Sequence, residues 1–122
     1  MSIMASPLQR TKNEQIEALG RDCGIVERFI HNRNVGYRSD LFGIFDLMSM
    51  RPEHGIIGVQ CCSTDFSAHL KKITQTKCCT TLKWLASGGR IELWGWRKTK
   101  LFRGSKAIRW TPRIKEITIE DL

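Results

Sequence analysis

The chain has 122 residues, 41% of them hydrophobic and 26% charged, which suits one modest globular core, so residues 1–122 are expected to form a single domain. No run approaches the ~18 apolar residues of a membrane span, and the opening MSIMASPLQR lacks the apolar stretch of a signal peptide, so a cytoplasmic location is expected and a secreted disulfide scaffold loses support. A net charge of +8, from 20 Lys and Arg against 12 Asp and Glu, concentrates polyanions and points to nucleic acid as the partner, the alternative being a basic surface that serves only solubility.

In chain order, residues Leu8 to Asp22 are predicted as a helix, with Ile16 and Leu19 as its apolar stripe and Cys23-Gly24 ending it. Ile25 to Phe29 is expected as a short strand, and His31 to Asn34 as a polar turn. Leu41 to Met50 (LFGIFDLMSM) is strongly apolar and predicts a strand, with Gly43 allowing a bulge or close approach. Arg51-Pro52-Glu53-His54-Gly55 carries turn chemistry, and Ile56 to Cys62 returns as a second buried strand, closing a hairpin. Ser63, Thr64 and Asp65 are N-cap candidates for a longer helix to about Ala86, apolar at Leu70, Ile73, Leu82 and Leu85 and stopped by Gly88-Gly89. Arg90 to Trp96 alternates as a strand does. Lys98 to Lys106 is predicted as a basic loop, and Ala107 to Ile119 as a last arm interrupted by Pro112. The order α-β-β-β-α-β-β predicts an α/β layer with a mixed sheet of about four or five strands flanked by helices.

The five cysteines are Cys23, Cys61-Cys62 and Cys78-Cys79. Adjacent cysteines on a strand point to opposite faces and chelate one metal poorly, so buried, reduced thiols acting as small hydrophobes are expected rather than zinc ligands.

The chemistry concentrates in the hairpin. If it pairs around residues 51–55, Asp46 and Gln60 fall opposite one another, and a carboxylate with an amide oxygen can coordinate a hard divalent cation. The backbone carbonyl of Cys61 would add a third oxygen, and Glu27 could reach the same ion directly or through water. A carboxylate inside LFGIFDLM is costly unless paired or metal-bound; hydrogen bonding to a turn or pairing with an arginine are the plainer accounts. Asp40 is open between a further ligand and a strand cap paired with Arg38.

Glu27, then Asp46, then Gln60-x-Cys62 followed at once by a helix resembles the PD-(D/E)XK nuclease superfamily, which includes restriction enzymes, Holliday junction resolvases and VRR-NUC domains. Ile25-Val26-Glu27-Arg28, Arg38-x-Asp40-Leu41-Phe42-Gly43-x-x-Asp46, Gly58-Val59-Gln60 and Gly95-Trp96-Arg97-Lys98 look like small phage and bacterial members, over about Glu17 to Trp110. The resemblance implies a restriction-endonuclease-like core and a Mg²⁺- or Mn²⁺-dependent DNA endonuclease, acting on branched or junction DNA, and a homodimer. It implies that Asp46, Gln60 and Cys61 hold the metal while Glu27 holds metal-bound water. The motif lysine is Cys62 here, so Lys71 or Lys72 on the following helix would have to reach back, about 12 Å along the axis; Lys72 is expected as the catalytic amine, with His69 as the other candidate. Two weakened positions, Gln60 for Glu and Cys62 for Lys, make a catalytically impaired binding module the alternative.

Arg38, Lys71, Arg97, Lys98, Lys100 and Arg103 are expected to contact DNA phosphates. Of Trp84, Trp94, Trp96 and Trp110, Trp84 and one strand tryptophan are expected in the core, leaving another for base stacking.

Overall fold

The structure, a computed structural model, describes residues 5–122 (for Asn32, the backbone alone). The Ser6 hydroxyl accepts the Gln9 amide, and Pro7, with no N–H to leave unpaired, opens helix α1 (Pro7–Glu17). The helix is shorter than expected because Gly20 takes a left-handed φ of 62°, which turns the chain into strand β1 (Asp22–Ile25). Its buried face also differs. Ile16 is exposed, while Thr11 and Gln15 are fully buried and Leu8 and Leu19 pack on the sheet beside them. The stripe at 8, 11, 15 and 19 has helical spacing but is half polar, and each polar member meets a partner from elsewhere: Thr11 accepts the Trp96 indole N–H at 2.8 Å, and Gln15 accepts Arg21 at 2.7 Å.

The strand expected over Ile25–Phe29 is divided. The chain leaves the main sheet at Val26 and Glu27 and forms a separate ribbon of β2 (Arg28–Asn32) and β3 (Val35–Ser39), joined through Arg33 at a φ of 46°. The strand expected from Leu41 begins only at β4 (Leu47–Arg51). Residues 41–45 instead make a tight turn in which Gly43 donates to Asp40 and both Ile44 and Phe45 donate to Leu41. Phe42 and Gly43 take left-handed φ values of 57° and 72° there, a conformation strained for phenylalanine. Ile44 and Phe45 are consecutive and both fully buried, which a regular strand with one solvated face would not allow.

Strand β5 (Gly55–Cys62) pairs antiparallel with β4 from Leu47↔Val59 to Arg51↔Gly55, around the expected turn. The long helix then breaks into α2 (Phe66–Lys71), one π-helical turn over Lys72–Thr76, and α3 (Cys78–Ala86). Strand β6 (Arg90–Lys100) absorbs the start of the expected basic loop, and β7 (Ile108–Ile117) runs through Pro112 without interruption. Pro112 lies opposite Trp96 on an edge strand, where one side needs no ladder donor.

The main sheet has the order β1-β4-β5-β6-β7, antiparallel except for β5–β6, whose parallel pairing is bridged by the helical crossover. With the ribbon set aside, this is the expected αβββαββ order on a mixed five-stranded sheet. The pleat sorts the core into two layers. Ile57, Val59, Trp94 and Trp96 face α1, whereas Phe45, Cys62, Ile91 and Leu93 pack with Phe66, Ile73 and Trp84 from the crossover. Leu82, expected inside, is exposed. Gly58 is needed where it stands, since a Cβ there would lie 2.4 Å from the Phe45 ring. Among the described residues no helix is long and apolar enough to cross a membrane.

On the α1 side a bidentate pair, Arg21 to Glu92 at 2.8 and 3.1 Å, is buried to 5% and 8% side-chain exposure. Burial raises the Glu92 carboxyl, but hydrogen bonds from Arg21 and Trp94 outweigh it and hold the group below its ordinary range. Arg21→Ala leaves that carboxylate alone in the core and should cost about 3–5 kcal/mol of unfolding free energy. Urea melts measure this; a loss under about 1 kcal/mol would mean that solvent replaces the arginine.

Candidate metal centre

Asp46 precedes the β4–β5 ladder by one residue and joins three segments. Its amide donates to Val59, its carbonyl accepts the amides of Val26 and Glu27, and its Oδ2 accepts the Cys61 amide at 2.9 Å. The two bonds to Val26 and Glu27 hold the break after β1 against the start of β4, so Glu27 is delivered beside Asp46. The turn of residues 41–45 carries Asp40 to the same place from β3. Carboxylate oxygens of Glu27, Asp40 and Asp46 lie within 4.8 Å of one another.

Three polar side chains surround this group. Gln60, 1% exposed, places Nε2 3.5 Å from Asp40 Oδ2, while its Oε1 is buried with no hydrogen-bond partner. Lys72 brings Nζ to 3.5 Å from the same Asp40 oxygen. Arg38 lies 3.6 Å from Glu27 at the rim, its side chain 75% exposed. Burial pushes the Asp46 carboxyl up to about 8, with Asp40 and Glu27 adding to the rise and the Cys61 amide opposing it. Crowded carboxylates of low exposure, together with an unpartnered buried amide oxygen, make an oxygen-rich group that can hold a hard divalent cation.

Glu27 and Asp46 thus come together as expected, and Asp40 joins them as a third carboxylate. Arg38 pairs with Glu27, not with Asp40. Gln60 contacts the group through Asp40, and the contact Cys61 makes to it is an amide donated to Asp46. Lys72 reaches the group from the end of α2, where its amide still bonds the Ala68 carbonyl; the π turn begins there and runs on, with the Lys77 amide bonding the Lys72 carbonyl at 2.8 Å. Lys71 is exposed on α2. Cys62 is buried beside Phe66 on the crossover side, and His69 pairs with Asp65. The expectation of five buried thiols is corrected: Cys78 and Cys79 are exposed at the start of α3, Cys23 and Cys61 are half-buried, and all five are free.

Asp40, open between a further ligand and a strand cap, joins the carboxylate group; the turn that carries it there has no signal in the sequence, because LFGIF reads as strand and nothing local announces a left-handed Phe42. A cleft of about 500 Å³ opens on the group, lined by Glu27, Arg38, Asp46, Cys62 and Asp65 among others. Arg97, Lys98, Lys100 and Arg103 are exposed, the first three on β6. Trp84, Trp94 and Trp96 bond Arg90, Glu92 and Thr11 and belong to the core. Trp110 is half-buried between Arg10 at 4.5 Å and Lys98 at 5.3 Å. No family model matches the chain, and no curated protein or solved structure does either.

The raised carboxyl has a consequence for stability. Folded Asp46 holds its proton up to about 8 whereas the ordinary value is 3.8, so its contribution is complete below the ordinary value and is lost as pH rises through the folded one. In EDTA the melting temperature should fall across that interval. Asp46→Asn should flatten the fall, and a divalent cation should restore stability most at the alkaline end. Circular dichroism melts over pH measure all three; an unchanged slope in Asp46→Asn would remove the assignment.

Proposed function

We propose that this chain is a metal-dependent DNA endonuclease with a restriction-endonuclease-like core, hydrolysing phosphodiester bonds with Mg²⁺ or Mn²⁺, and working as a homodimer. The observation that carries the reading is the convergence of Glu27, Asp40 and Asp46 with the Lys72 amine 3.5 Å from Asp40. The strand order agrees with it, since the main sheet is mixed, five-stranded and, the ribbon apart, in the αβββαββ order.

In this reading Glu27, Asp40 and Asp46 hold the ion, with the free Gln60 Oε1 as a neutral oxygen donor. The ion, when bound, polarises the scissile phosphate and lowers the pKa of the attacking water. Lys72 takes the task of the amine that position 62 lacks, balancing charge that develops on the phosphate. Arg38 at the rim, Lys71, and the exposed Arg97, Lys98, Lys100 and Arg103 position the DNA backbone without reading its sequence. Branched or junction DNA is the proposed substrate, and a second subunit would supply grip that 122 residues offer sparingly.

A second reading, a nuclease-fold protein that binds without cutting, draws on Gln60 and Cys62 standing where a glutamate and a lysine are implied. Incubation with supercoiled, linear and four-way-junction DNA, with Mg²⁺, Mn²⁺ or EDTA, separates the two. Metal-dependent breaks are expected, with Asp46→Asn and Lys72→Met each reducing the rate by about 10²–10³-fold. Salt-sensitive binding with no cleavage on any substrate selects the second reading. Cleavage that survives Asp46→Asn sinks the site.

A further inference from the structure

The cleft beside the carboxylate group has a second cluster of donors, and its chemistry is different. Cys62 ends β5 with its side chain on the crossover side, 5% exposed. Asp65 stands just before α2, and His69 lies four residues further on, with Nε2 2.9 Å from Asp65 Oδ2. The Cys62 sulfur, an Asp65 oxygen and a His69 ring nitrogen all lie within 4.8 Å of one another. The ring is held by the protein at Nε2 alone, because Nδ1 is buried and has no partner. Cys62 and Asp65 both line the cleft, so a fourth position beside them opens to it.

We propose that Cys62, Asp65 and His69 form a second metal site, selective for a borderline-soft ion of the Zn²⁺ class, open to the cleft at one position. Donor type carries the selectivity. Thiolate and imidazole suit Zn²⁺ or Co²⁺, whereas the all-oxygen group of Glu27, Asp40 and Asp46 suits Mg²⁺ or Mn²⁺. Three protein ligands with an open fourth position is the arrangement of zinc sites that bind a water or substrate. On binding, the thiol proton leaves to solvent and the sulfur lone pair forms the metal bond, while the imidazole exchanges its contact with Asp65 for the ion. The sequence hides this site because its thiol comes from a strand end while the other two ligands come from the following turn and helix. The adjacent pair Cys61-Cys62 divides across the sheet, as the pleat requires, and only one of the two takes part.

The proposal is independent of the nuclease reading, and titrating the full chain with Co²⁺, then displacing it with Zn²⁺, tests it. A thiolate-to-cobalt charge-transfer band is expected at one equivalent and should vanish on adding Zn²⁺. Cys62→Ser should abolish the band, and His69→Gln should weaken Zn²⁺ binding at least about 10-fold. The band should persist in the double variant Cys78→Ser/Cys79→Ser, which lacks the exposed thiols. Should Cys62→Ser lose its fold by circular dichroism, His69→Gln, altering a more exposed ring, gives the same readout. No band in the parent chain, a band surviving Cys62→Ser, affinity unchanged in His69→Gln, or a band lost with Cys78 and Cys79 overturns the site.

Discussion

Asp46 is the residue through which the end of the sheet is assembled. Its amide, carbonyl and carboxylate bond β5, the segment after β1, and the Cys61 amide in turn. A carboxylate this buried is unfavourable as an anion and would be expected at the surface. What holds the side chain there is the Cys61 amide that it accepts; the bonds to the Val26 and Glu27 amides and the Val59 carbonyl belong to the backbone of residue 46. The same bonds bring Glu27 near and leave room for Asp40, so the repulsion among three carboxylates follows from how the strands are joined. The centre and the fold are therefore one constraint.

Strand β5 divides the chemistry by its pleat. Val59 and Cys61 face α1, whereas Gln60 and Cys62 face the crossover helices, so one strand supplies an amide oxygen beside one group of donors and a thiol beside another. The crossover then determines what reaches back. Lys72 closes α2 with its amide still bonded to the Ala68 carbonyl, and from there its amine meets Asp40; the π turn widens the spiral only beyond it. Thr74 returns its hydroxyl to the Leu70 carbonyl, a habit that loosens helical bonding, and Thr81 donates to the Ile73 carbonyl eight residues back, across the π turn.

Much of the frame was legible. The Arg51–Gly55 turn fixed the β4–β5 register as far as Leu47↔Val59; Asp46 lies beyond that ladder with its amide on Val59, and Gln60 meets Asp40. The element order of the main sheet followed from the alternation of apolar runs and turn residues. Three features were not legible, each for a physical reason. The buried stripe of α1 is half polar, and Thr11 and Gln15 are tolerated there only because Trp96 and Arg21 meet them across the core. Asp40 arrives through a turn whose apolar residues resemble a strand and whose left-handed phenylalanine has no sequence signal. The β2–β3 ribbon was legible only as the end of one strand and a turn, since neither of its strands joins the main core to give a buried face.

Charge sets the last condition on the centre. The chain carries +8, yet the cleft is lined by Glu27, Asp46 and Asp65, and Asp40 stands behind them. A phosphodiester there meets the carboxylates of Glu27, Asp40 and Asp65, offset by Arg28 and Arg38 of the lining and by Lys72, while Asp46 keeps its proton up to about 8. The basic side chains on β6 and the loop after it can attract a polyanion over several ångströms, but they do not line the cleft. A divalent cation at the carboxylate group, or a second at Cys62, Asp65 and His69, would make the cleft positive. Under the proposed function the metal would therefore act twice, admitting the phosphate that it then polarises, and attraction to the outer surface would be separable from entry into the cleft.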